Sequence, residues 1–158
     1  MLTLWWDDTT ETVQMIDQRA LPARLEILSC PDATAVAEAI RNMAVRGAPA
    51  IGVAAAYGLA LAAWRSPATD PADLRTDIMQ AAAMLRATRP TAVNLAWALD
   101  QMLRIADAPG LTVDKLRRRL LAEARRLAEE DIATNRRMAE FGAALIDDGD
   151  TIIHHCNT

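Results

Sequence analysis

The sequence predicts an α+β chain in which a small N-terminal antiparallel sheet leads into a helical domain, on three observations. The first thirty residues hold three short segments rich in Trp, Val, Ile, Thr and Leu, divided by polar and Pro-containing breaks. The middle is rich in Ala and Leu, with apolar residues at helical spacing. Aromatic residues make up only 4% while 52% of the chain is hydrophobic, so the interior is built from small aliphatic side chains that suit closely approaching helices. At 158 residues the chain forms about one domain, and folding buries roughly 68–70% of its unfolded surface. Disorder is excluded.

Leu2 to Trp6, Thr12 to Ile16 and Arg24 to Leu28 read as the three strands, with Asp7 to Glu11 and Leu21-Pro22 as their breaks. Asp32 follows Pro31, and Val36, Ile40 and Met43 recur at helical spacing, which places a helix from about Ala33 to Val45. Gly47-Ala48-Pro49 opens the next, running to about Arg65. Gly47 to Trp64 carries no charge and approaches the length of a bilayer span, but its many Ala, further Gly and Pro49 weaken it for insertion; a buried central helix is expected.

Asp70 or Pro71 starts a helix that reaches Arg86, and Val93 to Ala106 forms another, with Thr91 as its candidate N-cap and Pro109-Gly110 as its stop. From Val113 one stripe runs Leu116, Leu120, Ala124, Leu127, Asp131, Thr134, Met138, Phe141 and Leu145. Its two polar members mark a solvent-exposed crossing, a break near Thr134, or a contact with a site. Asp147 to Asp150 is a turn, and Thr151 to Cys156 reads as a strand. A strand after an acidic Gly turn starts an α/β unit, so it either joins the N-terminal sheet or begins a parallel sheet of a longer protein, the reading preferred here. The divisions expected are a sheet over 1–30, a helical domain over 31–147, and the first strand of a further domain over 148–158.

The net charge of −4 argues against a general nucleic-acid binder, and the cations are Arg save for Lys115. Two cysteines make no disulfide scaffold and the N-terminus lacks signal-peptide character, so a reducing cytoplasm is the default.

Three segments carry chemistry. In Arg46-Gly47-Ala48-Pro49-Ala50-Ile51-Gly52, glycine lets a ligand approach the backbone, the free N–H groups of the first turn face outward, and Arg46 completes an anion site suited to phosphate. The alternative is a tight helix–helix turn with a solvated Arg. Arg89-Pro90-Thr91-Ala92-Val93-Asn94-Leu95 repeats the pattern, so Arg89 and Arg46 can converge on one phosphate. In His154-His155-Cys156-Asn157 the thiol stands at a strand end, where a following helix lowers its pKa and makes it an acid, base or nucleophile. That cluster is too small a ligand set for zinc. Cys30 reads as an inert buried thiol.

With Glu129-Glu130-Asp131-Ile132-Ala133-Thr134-Asn135-Arg136 as a fourth segment and Ile16-Asp17-Gln18 with Leu21-Pro22 at the start, the chain resembles the N-terminal part of the methylthioribose-1-phosphate isomerase family along its whole length. That fold is shared with ribose-1,5-bisphosphate isomerases and with regulatory subunits of a translation-initiation exchange factor. The resemblance implies an aldose–ketose isomerisation in methionine salvage, without metal or organic cofactor, in a cytoplasmic homodimer. It also implies a Rossmann-like second domain, of which this chain holds the first strand. Arg46, Arg89 and the amides of Gly47 and Ala48 would bind the substrate phosphate. Cys156 would act across the C1–C2 bond with an Asp of the family's later part, by proton transfer or beside a hydride shift. The chain alone would then be inactive. The rival readings are a bisphosphate isomerase, marked by a second basic cluster in place of an apolar pocket that Trp5 and Trp6 could wall, and a phosphosugar- or nucleotide-sensing subunit without turnover. No membrane and no nucleic acid is implied as a partner.

Overall fold

The computed structural model describes residues 2–153. Strands β1 (Leu4–Asp7), β2 (Thr12–Ile16) and β3 (Ile27–Cys30) form an antiparallel meander in that order. Alternation puts Leu4, Trp6, Val13, Met15 and Cys30 on the inner face, all buried. Leu4 pairs with Met15 and Trp6 with Val13, so one apolar row crosses the sheet. On the outer face Gln14 Nε2 donates to Thr12 Oγ1 and Ser29 Oγ.

The third strand begins three residues later than expected. Its pairing starts where Ile27 faces Ile16, the last residue of β2. The intervening loop turns back on itself, the Arg24 amide donating to Ala20 O and the Arg19 side chain holding Asp17.

Helices α1 (Ala33–Arg41), α2 (Ala48–Arg65), α3 (Pro71–Arg86), α4 (Val93–Ala106) and α5 (Val113–Ala143) follow. Asp32, Asp70 and Thr112 cap α1, α3 and α5 by accepting from Ala35, Ala72 and Lys115 amides. Helix α1 ends short of the expected Val45. Met43 takes a left-handed φ of 64°, turning its side chain outward while Ala44 and Val45 drop into the core. The Val45 amide then bonds back to Ala39 O.

Helix α2 is the hub. Its mean hydropathy of 1.2 over 18 residues would serve a membrane span, but two-thirds of it is buried against α1, α3, α4, α5 and the sheet. A helix apolar all round belongs in the middle of a fold. Trp6 meets Trp64 edge to face at 5.8 Å, so Trp6 serves the core; its neighbour Trp5 is half-buried on the outer face.

The C-terminal ends of α2 and α4 are closed by arginines from other helices. Arg117 donates to the carbonyls of Ala63 (2.9 Å), Ser66 (2.6 Å) and Ala68 (3.2 Å) after α2. Arg75 donates to Ala106 (2.8 Å) and Ala108 (2.9 Å) at the end of α4. Each guanidinium satisfies orphan carbonyls and sits at the negative end of a dipole. Arg117→Ala is expected to cost about 2 kcal/mol, since charge-assisted bonds are worth about 1.5–3 kcal/mol and this side chain is partly exposed. Urea unfolding measures it, and Arg117→Lys should recover only part, having one point donor where the fork has several.

Helix α5 runs unbroken through Thr134, which disposes of the expected break. Its stripe is buried from Leu116 to Leu127 and then leaves the core, so that Met138, Phe141 and Leu145 are exposed. The turn at Asp147 to Asp150 forms, with Gly149 at a φ of 92°. The strand expected from Thr151 is not formed over Thr151 to Ile153, which have no paired neighbour among the described residues, and its remainder lies outside them.

Candidate functional site

Helices α2 and α4 differ from the other three in starting without a side-chain cap. Their N-cap residues are Gly47 and Ala92, neither of which can supply one. Thr91 is therefore not the cap that the sequence suggested; Ala92 takes that place. The first-turn amides of both helices are left for another acceptor, at the positive ends of two dipoles. Gly47 has a φ of 102°, which only glycine adopts without strain, and Pro49 follows in the first turn.

The two starts lie side by side. A Cβ placed on Gly52 would stand 3.0 Å from Asn94 O and 3.6 Å from Ala98 Cβ, so the missing side chain is what lets α2 meet the first turn of α4. Next to this contact is a cleft of about 250 Å³ between α2, α4 and α5, lined by Pro49, Gly52, Asn94, Trp97, Asp131 and Thr134 among others. A shallower cleft of about 570 Å³ lies between the start of β1 and α5, and Asp131 and Val53 border both.

Among the residues singled out from sequence, Arg46 is half-buried in the α1–α2 loop. Its Nη2 donates to Gln18 O at 3.5 Å, Gln18 Nε2 donates to Arg46 O at 3.2 Å, and its Nε is buried with no partner. A buried unpaired guanidinium N–H is costly unless something accepts from it. Gln18 itself is buried, its amide bonded to Ala44 O. It positions the Arg46 loop from 28 residues away, a role that no local pattern betrays. Arg89 is half-buried in the α3–α4 loop, its side chain without a hydrogen bond or ion pair to any described residue. Gly47 and the exposed Ala48 begin α2. Neither arginine lines either cleft; both stand on the loops that enter the uncapped helices.

Asp131 and Thr134 are the polar members of the α5 stripe, and the cleft accounts for them as a contact with a site. Burial pushes the Asp131 carboxyl above its usual range, partly offset by a hydrogen bond of 3.0 Å from Asn135 Nδ2. Trp97 was missed from sequence. It is half-exposed on the apolar α4, one turn after Asn94, which is the only signal it gave. Cys30 is 1% exposed and its thiol is pushed up to about 11, by burial first and by Asp32 second, as befits an inert thiol. Cys156, with His154 and His155, lies outside the described residues.

Comparison with known proteins places this arrangement among relatives. The family model described as the Initiation factor 2 subunit family matches residues 44–158. The methylthioribose-1-phosphate isomerase of Herpetosiphon aurantiacus is 51% identical over 156 residues, 98% of this chain and 43% of that protein. The enzyme of the same name from Thioalkalivibrio sulfidiphilus is 50% identical over 153 residues, 97% of this chain and 42% of that one. Among solved structures, the translation initiation factor eIF-2B subunit delta from A. fulgidus superposes with a TM-score of 0.86 at 43% identity, over 95% of this chain and 43% of that one. The 5-methylthioribose 1-phosphate isomerase from Pyrococcus horikoshii does so with a TM-score of 0.86 at 39% identity, over 94% and 41%. The chain thus spans less than half the length of the relatives it matches.

Proposed function

The chain belongs to the initiation factor 2 subunit family, and on that footing we propose that it is part of an aldose–ketose isomerase converting 5-methylthioribose 1-phosphate to 5-methylthioribulose 1-phosphate in methionine salvage. The observation that carries this reading is the pair of uncapped helix starts, each entered by an arginine, meeting at Gly52 and Asn94. Such a pair presents amide donors and two guanidinium groups to one dianion. The identity of the relatives named for this reaction supports the substrate.

In this reading Arg46 and Arg89, with the amides of Gly47 and Ala48, hold the phosphate on C1. Gln18 keeps the Arg46 loop in place through its paired bonds. The phosphate on the anomeric carbon blocks the simple route through a free aldehyde, so the protein has to assist ring opening while that group stays attached. Cys156 and an Asp from the later part of the family then act across the C1–C2 bond, one taking a proton and the other giving one. A Rossmann-like second domain, a homodimer and a cytoplasmic location go with the proposal on the strength of the family resemblance.

The test is turnover of 5-methylthioribose 1-phosphate by the complete protein, followed for the Arg46→Ala and Arg89→Ala variants. Loss of one charge-assisted pair is expected to raise KM about ten- to a hundredfold for each. An unchanged KM in both removes the phosphate site. Binding without turnover would favour the sensing subunit of the same fold, a reading that the likeness to the A. fulgidus initiation-factor structure keeps in view.

A further inference from the structure

We propose that the cleft between α2, α4 and α5 is the specificity pocket for the substituent on C5 of the sugar, accepting an uncharged apolar group and rejecting a second phosphate. The inference rests on the phosphosugar reading above and adds the residues that choose among such sugars. At about 250 Å³ the cleft is smaller than the ~300–1,000 Å³ of a pocket for a whole ligand, and so fits one end of a molecule held elsewhere. Its place agrees. Gly52 lies five residues into α2 from Gly47, roughly 7 Å along the axis at 1.5 Å per residue. A pentose phosphate anchored at the helix starts by its C1 phosphate reaches about that far with its C5 end.

The walls are Val53, Leu127 and Trp97, and Trp97 is 51% exposed although it stands on a helix whose neighbours are buried. An exposed indole beside an apolar hollow gains contact area when an apolar group fills it. The rest of the lining sets the charge: it contains Glu130 and Asp131 and neither Arg nor Lys. Asn135 holds Asp131 in place by a bond to its carboxylate. A phosphate dianion entering here meets like charge in a partly desolvated hollow and finds no cation to pair with, whereas a thioether meets neither penalty. The second basic cluster that a bisphosphate would need is thus absent from the cleft lining, and its place is taken by carboxylates.

The experiment compares kcat/KM of the complete protein for three sugars, 5-methylthioribose 1-phosphate, ribose 1-phosphate and ribose 1,5-bisphosphate. Trp97→Ala is expected to lower the value for the methylthio sugar about tenfold more than that for ribose 1-phosphate, the discrimination that a small apolar group provides, and Trp97→Phe should restore most of it. The double variant Glu130→Gln with Asp131→Asn is expected to raise the ratio of bisphosphate to methylthio turnover about tenfold or more. Equal losses on all three sugars in Trp97→Ala, or an unchanged ratio in the double variant, would overturn the assignment. Absence of turnover on every sugar by the parent protein would instead defeat the isomerase reading. Calorimetric binding of the methylthio sugar and the bisphosphate to parent and double variant then decides the pocket: a preference that the double variant loses supports it, and equal affinities in the parent sink it.

Discussion

Gly52→Val is expected to lower stability by about 3 kcal/mol and to abolish tight phosphosugar binding, while Gly58→Ala six residues later is nearly neutral. Both glycines lie inside α2, and a Cβ at either would approach a neighbour to 3.0 Å. What differs is the neighbour. At Gly52 it is the backbone carbonyl of Asn94, with the carbonyl carbon at 3.4 Å, so relief requires the first turn of α4 to move as a unit. At Gly58 it is the Cγ1 methyl of Val36 and the two methyls of Leu85, ends of side chains that rotate or shift a few tenths of an ångström. Overpacking in a core costs about 1–3 kcal/mol, at the upper end where the obstacle is rigid and the new side chain is branched. The gain in helix propensity on replacing Gly, about 1 kcal/mol for Ala, offsets the strain at Gly58 and not at Gly52. Because α4 would move at the point where the two uncapped starts meet, binding should fall further than stability alone accounts for. Urea denaturation and substrate affinity are to be measured together. A Gly52→Val protein with the parent's midpoint and affinity would mean that the two helix starts do not depend on this contact.

The sequence carried most of the element order, for identifiable reasons. Asp32, Asp70 and Thr112 announce their helices because a capping side chain needs only a local amide three residues on or fewer. The charge-free run after Gly47 announces a buried helix because nothing in it can face water profitably. The misses lie where the outcome depends on distant partners. The Met43 φ of 64° has no local signature in a residue other than Gly or Asn, and it is set by Ala44 and Val45 being drawn into the core. The start of β3 depends on where β2 ends. Thr91 has the chemistry of a cap, yet the chain enters α4 one residue later.

The candidate site divides in the same way. Arg46, Gly47 and Arg89 were legible because a helix start that lacks a cap and follows an arginine is a local pattern. Gln18 was not, since its link to Arg46 spans the sheet-to-helix loop and exists only in the folded chain. Trp97 looked like one more apolar residue of an amphipathic helix, and only the cleft beside it shows that its face is open. The polar pair in the α5 stripe was visible from sequence as an anomaly, but its meaning came from the meeting of α5 with the starts of α2 and α4.

Cys156→Ser in the complete protein is expected to lower kcat by about 10²–10⁴ and to leave KM nearly unchanged, the span typical of losing a general acid or base. The two cysteines provide the comparison within one molecule. Cys30 is enclosed on the inner face of β3, 1% exposed, and its thiol is raised to about 11, so at neutral pH it holds its proton and offers no base. Cys30→Ser therefore acts through packing: it places a hydroxyl where a thiol met apolar neighbours, lowers the unfolding midpoint, and leaves turnover per folded molecule close to the parent's. For Cys156 the opposite pattern is expected, an unfolding midpoint like the parent's with most of the turnover gone, because the role assigned to it requires a proton to move through the thiol. Serine keeps the size but not the acidity, its hydroxyl being a far weaker acid than a thiol. If the two variants lose activity in proportion to their losses of stability, neither thiol takes part in the reaction, and the proton transfers would have to be carried by groups other than Cys156.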